Sequence, residues 1–190
     1  MQTAVPVVRP LSRQAIERTA TNLVSQLHDQ TLTEARPLPI LQICEFCLEK
    51  ICGVSFAVDY LSPGREGCFD GTELILDNET YERALVGDPR ARFTCAHEFS
   101  HAYLHRTQLK YLNGLSDVRL YRRGQIKAYQ DPEWQANTMA AALLMPGPAM
   151  RLLMNDLIPG ATGGTADVIA RRLGVSRAAA QLRIDKGDTN

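Results

Sequence analysis

The chain has 190 residues, 45% of them hydrophobic and 22% charged, which suits one globular domain or one domain with a small appendage. Twenty-one basic residues balance twenty-one acidic ones. Nothing in the bulk charge calls for nucleic acid or an anionic membrane. The first ten residues are proline-broken, and no apolar run is long enough to span a bilayer or serve as a leader, so the default compartment is the cytoplasm.

Leu11-Ser12 opens the first predicted helix. Ser12 caps it, and Leu11 can pack on Ile16 as a hydrophobic staple. Ile16, Ala20, Leu23, Val24 and Leu27 form its apolar face. His28 falls at its end, where an imidazole complements the helix dipole rather than acting as a ligand. Residues 29–39 are polar and proline-marked, hence a loop. A second helix is predicted over 39–52, stopped by Gly53. Its stripe of Ile40, Leu41, Cys44, Cys47, Leu48 and Ile51 makes the Cys44-x-x-Cys47 pair a buried apolar feature, since no second pair completes a zinc knuckle. Five cysteines are an odd number without framework spacing, so Cys52, Cys68 and Cys95 are also read as free thiols.

Residues 54–61 alternate and are rich in β-branched and aromatic types, which predicts a strand. Ser62-Pro63-Gly64 is a turn, 67–70 a second short strand, and Asp70-Gly71 a hairpin signal before a third strand over 73–77. The expected sheet is three-stranded and largely antiparallel, with an edge able to hold an extended peptide. Residues 78–87 are a short helix or loop.

Asp88 and Pro89 then form a cap and first helical position, and neither proline nor glycine interrupts 90–105. This helix carries His97-Glu98-Phe99-Ser100-His101, an HExxH motif. Histidines four apart stand one turn from each other on one face, so both can reach one zinc ion at about 2.0–2.1 Å. Glu98 is rotated by roughly 100°. It stands beside the metal, where a general base for an activated water belongs.

Residues 106–131 are the least regular. Arg106, Lys110, Arg119, Arg122, Arg123 and Lys127 outnumber the acids, with Tyr111, Tyr121 and Tyr129 between them. A solvated loop, a lid over the metal and a basic patch for an acidic partner all fit. Asp131-Pro132-Glu133 starts the next helix, which is apolar almost all round to Leu144 and ends at Met145-Pro146-Gly147-Pro148. Glu133 in its first turn either complements the dipole or supplies the third ligand of a His2Glu zinc site. Asn137, one turn on, can support that carboxylate. Asp131, His105 and Asp117 are the rival third ligands. His105 lies about 12 Å from His97 along an unbroken helix.

The two segments RFTCAHEFSHAYLH (92–105) and EWQANTMAAALLMP (133–146) together resemble the ImmA/IrrE family of bacterial metallopeptidases. The family pattern is close to RFTxAHExGHxxLH followed by ExxANxFAAxLLMP, and the resemblance extends over about 12–187. Ser100 replaces the common glycine and Met139 the usual phenylalanine; neither removes a ligand. The resemblance implies an α+β, minimal zincin-like fold, mostly helical, with the small sheet and a helix-turn-helix-like tail. It implies a gluzincin-like centre with His97, His101 and Glu133 on Zn2+, Mn2+ being an alternative, and Glu98 as catalytic base. Active members cleave helix-turn-helix transcriptional repressors and so release stress-response or mobile-element genes.

The tail over 165–184 has helix-turn-helix grammar: Ala170, Gly174 and Val175-Ser176 sit at the small, turn and cap positions. Arg171, Arg172, Arg177, Arg183 and Lys186 can meet phosphates. Neutral overall charge, and a similar segment within the resembled peptidase fold, argue against direct DNA binding. The expected organisation is a metallopeptidase domain over 11–158 and a helical segment over 159–190. The expected activity is zinc-dependent peptide hydrolysis, with Asn137, His105 and Tyr103 as supporting or oxyanion-stabilising groups. The alternatives are a metal-dependent protein that binds a repressor without cutting it, and a DNA-binding regulator.

Overall fold

The computed structural model describes residues 4–5, 7–113, 121–122, 126–155 and 164–187, with side chains over 7–108, 126–155 and 164–187. Its elements in chain order are β1 (Ala4–Val5), α1 (Arg13–Leu27), α2 (Gln30–Thr33), α3 (Ile40–Phe46), α4 (Leu48–Cys52), β2 (Ser55–Asp59), β3 (Gly67–Phe69) and β4 (Glu73–Asp77). They continue through α5 (Asn78–Leu85), α6 (Pro89–Asn113), β5 (Tyr121–Arg122), a 3-10 turn (Ala128–Gln130), α7 (Pro132–Leu144), α8 (Gly147–Asn155), α9 (Thr165–Leu173) and α10 (Arg177–Asp185). The α+β class, mostly helical with a small sheet, is the observed one.

Local chemistry explains most boundaries. The Ser12 hydroxyl accepts from the Ala15 amide at 3.2 Å and starts α1. The loop expected over 29–39 contains the single turn α2. The cysteine helix is split at Cys47 into α3 and α4 and ends where Gly53 takes φ +59°, a left-handed cap. Cys44 is fully buried beside Cys95, its thiol 3.9 Å from the Cys95 carbonyl, and all five cysteines are free thiols. Burial pushes the Cys95 thiol up to about 12, as suits a small apolar group rather than a nucleophile.

The sheet corrects one expectation. Its order is β2-β4-β3; β3 and β4 are antiparallel, but β2 runs parallel to β4 over five residue pairs, so the sheet is mixed. The hairpin signal held: the Asp70 carboxylate accepts from the Thr72 and Glu73 amides at 2.8 Å, with Gly71 at φ +101°. The expectation failed because β2 does not pair with its neighbour in sequence. The chain leaves β2, passes through 60–66 to the far side of β4, and only then turns back. Leu74 and Leu76, fully buried, fix which face of β4 meets the core.

One buried cluster unites α1, α3, α4, α6, α7 and α8 with α9 and α10, the last two through Ala166, Ile169, Leu173 and Ala180. The tail is also tied down by cations. Arg92 of α6, 9% exposed, donates to the carbonyls of Gly174 (2.9 Å) and Leu173 (3.4 Å). Arg183, 3% exposed, donates to Glu17 (2.7 Å) and the Met145 carbonyl (3.1 Å). Arg172 donates to the Glu34 carbonyl and Arg177 pairs with Asp167. The linking residues 156–163, where the expected division at 158–159 falls, lie outside the described residues.

The N-terminal segment, proline-broken and without a long apolar run, is a strap against 121–122 and 129–130: β1 pairs with β5, the Val8 amide donates to the Gln130 carbonyl, and the Leu11 amide donates to that of Tyr129. The strap also packs on α6, where the Arg9 amide donates to Gln108 at 2.8 Å. Among the described residues no helix is long and apolar enough to cross a membrane.

Candidate metal centre

The centre lies where α6 and α7 pack together. Asp88 starts α6 by accepting from the Ala91 amide at 2.8 Å, and Arg83 grips the same carboxylate oxygen at 2.6 Å. Asp131 caps α7 by accepting from the Glu133 amide at 2.9 Å, and Pro132 follows at the first helical position. Its place at the cap gives Asp131 a task other than the ligand role open to it from sequence. Asp117, another rival ligand, lies outside the described residues.

His97, His101 and Glu133 converge, with one ligand atom of each inside a 4.8 Å span. The two Nε2 atoms are 3.1 Å apart. Glu133 places Oε1 at 3.2 Å from His101 Nε2 and Oε2 at 3.5 Å from His97 Nε2. Zinc–nitrogen bonds of about 2.0–2.1 Å in a tetrahedron separate neighbouring ligand atoms by about 3.3 Å. The three spacings fit that edge, and three donors leave a fourth position open. The donor set therefore fits a metal ion of this size.

Electrostatics agree with a cation site. Hydrogen bonds from His101 and His97 hold the Glu133 carboxyl far below the usual carboxylate range, despite partial burial. Burial works against a charged His97, but the Glu133 hydrogen bond and the Glu98 charge outweigh it and draw that imidazole up. Burial pushes Glu98 up, against the pull of His101 and His97. Glu98 is 9% exposed and lines the same cleft as His97, Glu133 and Asn137.

That cleft, about 550 Å³, is also lined by residues 64–67 and by Arg90, Phe93 and Thr94. Gly67 of β3 lies so close to α6 that a Cβ there would come within 3.0 Å of Glu98 Cγ and 3.2 Å of Thr94 Cγ2. Glu66 accepts from Thr94 (3.1 Å) and pairs with Arg90 (2.7 Å). Phe93 and Asn137 also border a second cavity of about 300 Å³, walled by Trp134, Ala141, Met145 and Leu182.

The supporting residues occupy three different places. Asn137 Oδ1 is 3.1 Å from His97 Nδ1, so it holds an imidazole rather than the carboxylate expected of it. His105 is 1% exposed; its Nδ1 is 3.1 Å from His101 Nδ1, on the side of that ring away from Glu133. Burial lowers His105 to about 4, which keeps it neutral. Tyr103, 37% exposed, stacks on Phe99 and is not among the residues lining the cleft. Ser100 is fully buried, and its hydroxyl donates back to the Ala96 carbonyl at 2.6 Å, so the change from glycine strands no polar group.

Two residues escaped the sequence reading. Gln135, fully buried, accepts from His105 at 2.9 Å. Its signal was available: a polar amide inside a helix apolar almost all round. Arg65 lines the cleft opposite Glu98 and gave no signal beyond its place after a turn.

Two helices meeting beside a small sheet thus bring together two histidines and a carboxylate that could hold a metal ion. The chain belongs to the family described as the IrrE N-terminal-like domain, whose profile matches residues 82–185 and so covers α6, α7 and the tail. A Mycobacterium tuberculosis transcriptional regulator is similar in fold, with a TM-score of 0.55 at 16% identity. The match covers 90% of this chain and 46% of that one, so this chain spans less than half the length of that regulator. No curated protein matches the sequence.

Proposed function

We propose that this protein is a zinc-dependent endopeptidase of the cytoplasm that cuts a helix-turn-helix transcriptional repressor and so relieves repression. The observation that carries the reading is the convergence of His97, His101 and Glu133 within one coordination sphere, with Glu98 beside them in an open cleft. The repressor as substrate rests on the family resemblance. Zinc, when bound, supplies Lewis acidity and brings the pKa of its water from ~15.7 towards ~7; manganese is the alternative ion.

The chain's own residues do the rest. Glu98 takes a proton from the attacking water and passes it to the departing amine. β3 is an edge strand beside Glu98, and a substrate strand added to it would be held by main-chain hydrogen bonds. Arg90 is committed to Glu66, so Arg65 is the cleft cation we assign to the developing oxyanion. The cavity beyond Phe93 offers an apolar wall for one substrate side chain.

The test uses the zinc-loaded protein and the repressor encoded beside it. Two discrete fragments are expected from the wild type, and none from Glu98→Gln with zinc still bound. An uncut repressor with the zinc-loaded wild type, or equal cutting by Glu98→Gln, would defeat the proposal.

A further inference from the structure

The side of His101 away from the metal position ends in a network with a single consistent polarity. Gln135 Nε2 is 2.8 Å from the Arg9 carbonyl and 2.7 Å from that of Tyr129. Carbonyls only accept, so this atom must be the amide nitrogen, and both its hydrogens are spent. The amide oxygen is thereby turned to His105 Nε2 at 2.9 Å, and it too only accepts. His105 Nε2 must therefore carry a hydrogen. In a neutral ring that leaves Nδ1 as the lone pair, and this lone pair faces His101 Nδ1 at 3.1 Å. Only an Nδ1–H on His101 satisfies the contact. Its Nε2, 3.2 Å from Glu133 and 3.1 Å from His97 Nε2, is then the atom that holds a proton for Glu133 or gives that proton up to a metal.

We propose that Gln135 and His105 are positioning residues that keep a hydrogen on His101 Nδ1 whether its Nε2 holds a proton for Glu133 or a metal, and that two backbone carbonyls, of Arg9 in the strap and Tyr129 in the 3-10 turn, set the direction of the whole relay. The inference rests on the metal-centre reading for its purpose but not for its geometry. Reversing either Gln135 link sets two acceptors or two donors face to face in a buried site, and reversing the His105–His101 link places a charge on a ring that is 1% exposed. A free imidazole has no such preference for the Nδ1–H form and would have to exchange its hydrogen before ligation. His97 lacks this depth of support, since its partner Asn137 is exposed.

The experiment is long-range proton–nitrogen NMR of the metal-free, histidine-labelled protein in mildly alkaline buffer, followed by zinc titration against a competing chelator. The wild type should show His101 as Nδ1–H and His105 as Nε2–H. Gln135→Leu should let both rings populate the other tautomer and weaken zinc binding about 10–100-fold, the usual effect of losing an outer partner. His105→Asn, which keeps an acceptor near His101, should restore more of the affinity than His105→Phe. His101 found without a hydrogen on Nδ1 in the metal-free wild type overturns the relay, whether or not the variants fold. So does a folded Gln135→Leu protein with unchanged tautomers and affinity. Those tautomers in a wild type that takes up no zinc would instead defeat the metal reading and leave the relay standing.

Discussion

The two imidazoles of one motif are held in opposite ways. His101 is 8% exposed and backed by a buried ring, a buried amide and two carbonyls drawn from distant parts of the chain. His97 stands at the cleft wall, its outer nitrogen held by an exposed asparagine one turn beyond Glu133. The contrast separates two needs. One imidazole is fixed by the interior and cannot adapt; the other borders the open cleft, where water can replace its partner. Under the proposed function, a metal site with one anchored and one adjustable arm keeps its place while its open side meets a polypeptide.

The comparison breaks most completely if the shared acceptor is removed. Glu133→Ala should lower zinc retention by well over ~100-fold, beyond the ~10–100-fold expected for outer partners, as measured by metal content after dialysis. Near-stoichiometric zinc in that variant would mean that the imidazoles do not need the carboxylate.

Gly67→Ala should leave both imidazoles alone and disturb Glu98. The added Cβ would sit 3.0 Å from Glu98 Cγ, and small misplacements of a reacting group cost up to ~100-fold in rate. Repressor cleavage should fall steeply with zinc content unchanged. Asn137→Ala tests the adjustable arm directly. Its expected loss of zinc affinity is about tenfold, at the low end of the range for outer partners, because water can take over at His97 Nδ1. If it matches or exceeds His105→Phe in chelator competition, the asymmetry between the arms is wrong.

Asp88→Ala treats both arms alike. It removes the cap of the helix that carries them and should cost about 1 kcal/mol in chemical denaturation, with relative metal affinities unchanged. Asp88 also gives a signed pH effect. The Ala91 amide, then Arg83, hold its folded pKa below the ordinary carboxylate value of about 3.9. Its contribution is full above that value and is lost as pH falls through the lower, folded one. Asp88→Asn should therefore lower stability at neutral pH and converge with the wild type well below about pH 4, which flattens the acid side of the stability curve.

What could be read from the sequence follows the range of the interactions involved. The HExxH helix was legible because its cap, first proline and ligand spacing all lie within a few turns. Glu133 was legible as the odd charge in an apolar helix. The parallel pairing of β2 with β4 was not, since a hairpin signal says which strands are joined and nothing of where a third lands. The N-terminal strap was hidden for the same reason. The bond from Gln135 to the Arg9 carbonyl joins residues 126 positions apart, and no local pattern encodes it. Among the tail residues read as able to meet phosphates, Arg183 is buried against Glu17 and the Met145 carbonyl, which residue type alone does not reveal; Arg171, Arg172 and Arg177 are exposed.

Arg92 has a practical corollary for anyone shortening this chain. Its guanidinium reaches from the turn before His97 to the two carbonyls that close α9. A fragment ending at Asn155 would strip those acceptors from Arg92 together with the tail that packs against it. Hydrogen bonds to a charged group contribute about 1.5–3 kcal/mol, a sizeable share of the stability of a small domain. Trimming the apparent appendage would thus loosen α6, the helix that carries His97 and His101, at its root, and truncation libraries should retain the chain through Asp185.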